Sequence, residues 1–267
     1  MAKTEILTSA ANPLLKDVRR AIVKGILTER GCWVAETFHL LEEALGSDCE
    51  VKAVLAAESV RGTVEAHVRG LAGLRVYVLN DGLFQKLSGT EASQGVMALV
   101  RPPEWKLETL FRGRALAVVL DGVQDPGNAG AIVRAAEAFG ATGVMFLKGG
   151  ASPFHPKTVR ASAGSLFRVP FVHALERPLA RAALQQAKLD IYGTVPSGSP
   201  AGKTLVEADL TRKCAFVIGS EGRGMSEEMR GCSMDLSIPT VRVESLNAAV
   251  AASILLYEAR RQRALAD

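Results

Sequence analysis

Four short apolar runs in the C-terminal part of this chain, at residues 115–120, 143–147, 191–195 and 214–218, leave few folds open. Each is too short for a core helix, and each is apolar on successive residues rather than on alternate ones. Strands with that pattern are buried on both faces, the situation in a parallel sheet covered by helices on each side. Parallel strands need long crossovers, and helical patterns fall at residues 129–139 and 179–188, with a last helix over 247–265. The expectation is an α/β fold built on a parallel sheet. A chain of 267 residues with 48% hydrophobic content has enough apolar side chain for that sheet and for a smaller unit beside it.

The first hundred residues carry a different pattern. Residues 12–24 set Leu14, Leu15, Val18, Ile22 and Val23 on one face of an amphipathic helix. Residues 37–45 read as helix, and residues 32–35, 51–56, 74–79 and 95–100 as strands. Arg101-Pro102-Pro103-Glu104-Trp105 then interrupts, because a Pro-Pro pair can continue neither a ladder nor a helix. This reading gives a small α/β unit over 1–100, a linker over 101–114 and a larger unit over 115–267.

Composition excludes several classes of function. No apolar run approaches the ~20 residues that span a bilayer. The opening Met1-Ala2-Lys3-Thr4-Glu5 is polar and has no signal-like apolar stretch after it, so a soluble cytoplasmic protein without a membrane partner is expected. The cysteines Cys32, Cys49, Cys214 and Cys232 are scattered, and no histidine stands at ligand spacing, which argues against disulfides and a structural metal. The net charge is +4, and all of the excess lies beyond residue 102, where twenty basic side chains face sixteen acidic ones. That asymmetry permits a polyanionic partner.

Three blocks carry the chemistry. The first is Asn128-Ala129-Gly130-Ala131-Ile132-Val133-Arg134, after an apolar strand and a Gly-containing loop. A helix starting there favours an anion, and Asn128 is placed to cap it. Arg134 need not face the apolar stripe of Ile132, Ala135 and Phe139. On its own the block could be no more than a cap and a solvated arginine, and it lacks the GxGxxG spacing of a dinucleotide fold. The second block is Ile218-Gly219-Ser220-Glu221-Gly222-Arg223-Gly224-Met225, whose glycines suit close backbone approach or positive φ. The third runs from Ile238-Pro239-Thr240 to Glu244-Ser245-Leu246-Asn247, with Ser245 the expected cap of the last helix.

In this order the three blocks resemble the SpoU (TrmH-type) ribose 2'-O-methyltransferases of the SPOUT superfamily. Lys157-Thr158-Val159-Arg160-Ala161-Ser162-Ala163-Gly164-Ser165 resembles the same family. So, more weakly, do Thr8 to Pro13, Trp33-Val34-Ala35-Glu36 and Gly95-Val96-Met97-Ala98, which look like an L30e-like RNA-binding module. The resemblance implies an α/β domain with a trefoil knot, an RNA substrate-binding domain before it, and S-adenosylmethionine as methyl donor. It implies that Gly219, Glu221, Gly222, Ile238 and Leu246 hold the cofactor. Arg134 is implied as the residue nearest the chemistry, with Asn128, Glu221, Ser245 and Asn247 orienting the reacting groups. Arginine stays protonated, so Arg134 fits the stabilising of an alkoxide better than the role of a general base. Lys157, Arg160 and Arg168 fit an RNA backbone or a solvated basic face equally well. The N-terminal module favours 23S rRNA as substrate over tRNA, and the family implies a homodimer through the C-terminal domain, where Val250, Ile254 and Tyr257 share a helical stripe. The scheme calls for no metal. Thr240 and Ala248 depart from the family's usual residues but remove no reactive group. The rival readings are an inactive RNA-binding protein of the same fold, a knotted methyltransferase acting on a base, and, at a greater distance, a nucleotide-dependent oxidoreductase.

Overall fold

Asn12 starts the first helix by the means its sequence suggests: its side chain accepts from Leu14 N–H at 2.9 Å, Pro13 follows at the first helical position, and left-handed Gly25 closes the helix. The computed structural model describes residues 3–90, 92–197 and 202–266; Met1 and Ala2 of the polar opening lie outside the described residues. Strand β1 is Lys3–Leu7 and helix α1 Pro13–Lys24, followed by β2 Trp33–Glu36, α2 Phe38–Leu45 and β3 Glu50–Ala57. Then come α3 Arg61–His67, β4 Arg75–Leu79, α4 Asp81–Leu87 and β5 Val96–Arg101. These five strands form one sheet in the order β1-β4-β3-β5-β2, with β2 and β3 antiparallel to β5. α1 buries Leu15, Val18, Ala21 and Ile22 against it, while Val23 points outward and is 74% exposed. β1 is an edge strand with only Leu7 buried, so no apolar pattern announced it.

The second sheet has seven strands, all parallel. They are β6 Leu116–Asp121, β7 Gly143–Leu147, β8 Phe171–Leu175, β9 Asp190–Val195, β10 Lys203–Thr204, β11 Cys214–Gly219 and β12 Met234–Ser237. Their order is β10-β12-β9-β11-β6-β7-β8. α5 Pro126–Ala138, α6 Pro156–Ala161, α7 Arg177–Gln186, α8 Glu227–Arg230 and α9 Ala248–Ala266 complete the chain. The four strands read from the sequence are all present in this sheet; β6, β7 and β11 are apolar throughout their interiors, as a two-sided burial requires, and β9 carries a half-buried Thr194 near its end.

The chain divides into two units in an unexpected way. One contains the described residues through Glu104 together with Phe154–Arg168; the other contains Trp105–Pro153 and the chain from Val169 onward. Phe154–Arg168 therefore belongs with the N-terminal sheet. Trp33, fully buried, meets Phe154 and Phe167 with ring centroids 5.9 and 5.5 Å away. Glu36, 3% exposed, accepts from Ser88, from Ser93 at 3.0 Å and from Arg160 at 3.5 Å, and Arg168 pairs with Glu43. The expected linker over 101–114 is likewise more than a spacer. Its Leu110 is fully buried, and a Cβ on Gly143 would lie 2.3 Å from Leu110 Cγ, so β7 must begin with glycine to admit it.

A single buried arginine closes the C-terminal unit. Arg263, near the end of α9, donates to the carbonyls of Leu210 (3.0 Å), Arg114 (2.8 Å), Ala115 (3.1 Å) and Arg212 (2.6 Å). It ties the last helix to the chain entering β6 and β11. Cys214 lies beside it, and burial pushes that thiol up to about 11 although Arg263 acts in the opposite direction. Arg263→Met would leave these carbonyls without their donor, at an expected cost of about 3 kcal/mol in urea unfolding. Cys214 should resist a thiol reagent at pH 8 in the native chain and label readily in that variant. Equal labelling of Cys214 in both proteins, read by peptide mass spectrometry, would contradict this account.

Candidate active site

The C-terminal ends of β9, β11 and β12 open into a cavity of about 560 Å³. The end of β9 and the turn after it contribute Thr194 to Ser197, and the end of β11 with the loop after it contributes Gly219 to Gly224. Ile238, Thr240 and the stretch from Glu244 to Ala248 form the remaining wall. Ligands of parallel α/β sheets lie at this edge because the strands end there and loops and helix starts are free to diverge. A bond from Ser197 N–H to Glu244 O, 3.2 Å, joins two of the walls.

The glycines of the central loop divide by function. At Gly219 an added Cβ would lie 2.4 Å from the carbonyl carbon of Gly224 and 2.5 Å from Met225 N, so the loop folds back on its own strand. Ser220 and Gly224 close it with paired backbone bonds of 3.0 and 2.9 Å, and Gly224 has φ +68°. Gly222 differs: a Cβ there would meet nothing within 4 Å. Two of the three glycines thus serve the loop's own geometry.

Asn128 joins the first block to the other two. Its Nδ2 donates to Glu221 Oε1 at 2.6 Å, and its Oδ1 accepts from Asn247 Nδ2 at 3.0 Å. The structure corrects two capping assignments. Asp125, not Asn128, caps α5 by accepting from Asn128 N–H at 2.9 Å, which frees the Asn128 side chain for Glu221 and Asn247. Asn247, not Ser245, caps α9, accepting from Ala249 N–H at 2.9 Å. Ser245 is left as an exposed hydroxyl lining the cavity.

Gly219, Glu221, Gly222, Ile238 and Leu246 all line this cavity, as do Ser245 and Asn247. Arg134 does not. It is exposed on α5 and makes no hydrogen bond or ion pair among the described residues. Six residues along a helix place it about 9 Å and roughly a third of a turn from Asn128. Lys157, Arg160 and Arg168 belong to the other unit, where Arg160 and Arg168 have the glutamate partners already described. Among the described residues no group of three or more His, Cys, Asp or Glu side chains could hold a metal ion, and no helix is long and apolar enough to cross a membrane.

Sequence reasoning missed Asp121 and the turn from Thr194 to Ser197. Asp121 ends β6 with a side chain wholly shielded from solvent; it accepts from Arg177 Nε at 2.8 Å and from Ser226 N–H at 2.7 Å. The signal for both was position, since each stands at the C-terminal end of a strand that was read correctly.

Residues 115–257 match the model of the SpoU rRNA Methylase family, and residues 12–98 that of the MRM3-like substrate binding domain. The chain belongs to the SpoU rRNA methylase family. It is 32% identical over 257 residues to the 23S rRNA (guanosine(2553)-2'-O)-methyltransferase RlmP of Bacillus subtilis (strain 168), covering 95% of this chain and 98% of that one. Its fold matches the AdoMet-bound rRNA methyltransferase from Sinorhizobium meliloti with a TM-score of 0.81 at 28% identity, over 97% of this chain and 98% of that one. AviRb from Streptomyces viridochromogenes, in complex with AdoMet, matches with a TM-score of 0.82 at 26% identity, over 95% and 98% of the two chains. Both the SpoU resemblance and the parallel α/β fold are therefore borne out.

The cavity suits the family's cofactor. Val195, Ile218, Leu236, Ile238 and Leu246 give it apolar walls for a flat heterocycle, and Ser197, Glu221 and Glu244 give it polar groups. Gly219→Ala should lower the melting temperature and weaken AdoMet binding more than tenfold, because the clash is with backbone. Gly222→Ala should melt like the parent. Calorimetry on the two variants decides the matter, and equal melting points would refute the division of the glycines.

Proposed function

We propose that this chain transfers a methyl group from S-adenosylmethionine to a ribose 2'-hydroxyl of 23S rRNA, and that it does so in the cytoplasm as a homodimer. The observation that carries the reading is the Asn128 side chain, held between Glu221 and Asn247 at the mouth of a cavity fit for the donor. Bound there, the donor supplies an electrophilic methyl on a sulfonium. The chain supplies position. Asn128 is fixed at both ends of its amide, yet keeps one N–H and one lone pair to orient a ribose. Ser245 offers a hydroxyl on the same wall. Arg134 stands outside the cavity, so its partner in this reading is the RNA itself. Its guanidinium holds a phosphate of the substrate and stabilises charge developing on the hydroxyl oxygen, while the proton leaves to that phosphate or to water. Lys157 adds an exposed cation on the other unit.

The dimer reading rests on α9. Its buried face is Ala248, Ala249, Ala252, Leu255, Leu256, Ala259 and Arg263, while Val250 and Tyr257 stand 48% and 56% exposed. Of the stripe picked out in the sequence, Val250 and Tyr257 are thus exposed, with Tyr257 resting on Phe139, and Ile254 is half-buried; this face suits a second copy. The knot is part of the same proposal: β12 pairs outside β9, yet the chain after it returns to lay α9 against α5 and β11.

The test is transfer of labelled methyl to unmodified 23S rRNA and tRNA transcripts. The expected product is one alkali-resistant site in 23S rRNA. Asn128→Ala should lower the rate at least about 100-fold, as expected when a group that orients a reactant is lost, with AdoMet affinity little changed. Arg134→Lys should lose at least about tenfold, because a point charge does not replace a guanidinium fork. Label in tRNA alone would reassign the substrate. Label retained on RNA with a 2'-deoxy target would reassign the acceptor atom to a base. A monomer in gel filtration at micromolar concentration would remove the dimer.

A further inference from the structure

The loop from Ser220 to Gly224 has a second hollow on its other side. It measures about 660 Å³ and is lined by Asp121, Gly122 and Gln124 after β6, Gly149 after β7, Arg177 at the start of α7, and the loop as far as Ser226. β11 and β6 are neighbours in the sheet, with β9 outside one and β7 outside the other. The hollow lies at the C-terminal ends of this central pair, where crossovers diverge and open α/β sheets take their ligands.

Its groups are arranged for an anion. The Arg177 Nε is committed to buried Asp121, which orients the guanidinium, and its two terminal nitrogens have no partner among the described residues. Arg223 makes no ion pair among the described residues either. Gln124 spends its amide N–H groups on the carbonyls of Gly122 (3.2 Å) and Gly149 (2.7 Å), bracing two glycine turns with φ +82° and +89°. No side chain caps α7, whose first residue is Arg177. Turns of this kind and an uncapped helix start both present N–H groups to anions. Two acidic residues line the hollow, and the carboxylates of both are engaged: Asp121, shielded from solvent, by Arg177 and Ser226 N–H, and Glu221 by Asn128.

We propose that this hollow binds a backbone phosphate of the substrate RNA, adjacent to the nucleotide whose ribose lies against Asn128, with Arg177 and Arg223 as its donors. The proposal rests on the substrate class inferred above. Glu221 lines both hollows, so the loop that carries it separates the methyl-donor cavity from the phosphate anchor, and the ribose is gripped where they meet.

The test is anisotropy of a labelled 23S rRNA transcript with the full chain over a salt series, with AdoMet binding measured by calorimetry in parallel. The variants are Arg223→Gln, on an exposed side chain, and the pair Asp121→Asn with Arg177→Met. The pair removes both charges together and keeps an acceptor for Ser226 N–H. Each should weaken RNA binding about five- to tenfold and flatten the slope of log affinity against log salt by about 0.7 to 0.9, the loss of one phosphate contact. AdoMet affinity should fall less than RNA affinity in both: Arg223 also lines the first cavity, and Asp121 with Arg177 holds the loop that walls it, but the apolar walls are untouched. Unchanged RNA affinity and slope in both variants would overturn the proposal. So would a parallel loss of AdoMet binding, which would assign the hollow to the cofactor. A parent protein that binds RNA with the full slope and loses it in the variants, yet transfers no methyl, would sink the proposed activity and leave the phosphate site in place.

Discussion

The site depends on one carboxylate that never meets water. Burying a carboxylate costs several kcal/mol unless its oxygens are matched, and in Asp121 one accepts from Arg177 Nε and the other from Ser226 N–H. That pairing pins three segments at a single point: the end of β6, the start of α7 and the chain leaving the glycine loop. Everything that gives the loop its direction follows. Its two ends are close enough for Gly219 to touch Gly224, the turn closes through Ser220, and Glu221 is presented to Asn128 on a different helix. A surface assembled from three distant stretches of sequence needs such a fixed point, because loops without one have no reason to hold a common geometry.

Much of this was legible in the sequence, unevenly and for identifiable reasons. The central strands were read to within a residue because two-sided burial writes itself as unbroken apolar runs. β1 and β8 escaped because an edge strand is exposed on most of its length and carries no such signature. The residues that meet in the site, Asn128, Glu221 and Asn247, were found through their motifs, but their caps were misassigned. Cap preference ranks Asn, Asp and Ser almost equally, so it identifies a helix start without deciding which neighbour takes the bond. Asp125 and Asn247 took the two bonds expected of Asn128 and Ser245.

Arg160 and Arg168 show where local reading stops. A run of basic residues near a family motif suggests a polyanion, yet their carboxylate partners Glu36 and Glu43 stand 124 and 125 positions earlier. No window of sequence contains both halves of such a pair. Only the fold reveals that these arginines are occupied within the N-terminal unit, together with aromatic side chains that close over Trp33.

That last arrangement bears on how the chain is made. The N-terminal sheet is complete in strands by Arg101, but the rings that cover Trp33 and the guanidinium that meets Glu36 are supplied from Phe154 onward. At about 5–20 residues per second, the ribosome needs several seconds more to deliver them. During that interval a finished sheet waits with its indole and a carboxylate uncovered. The first unit to be synthesised is therefore finished only after the second has begun to emerge. A truncation drawn at the proline-rich joint would yield every strand of that unit without the segment that seals it.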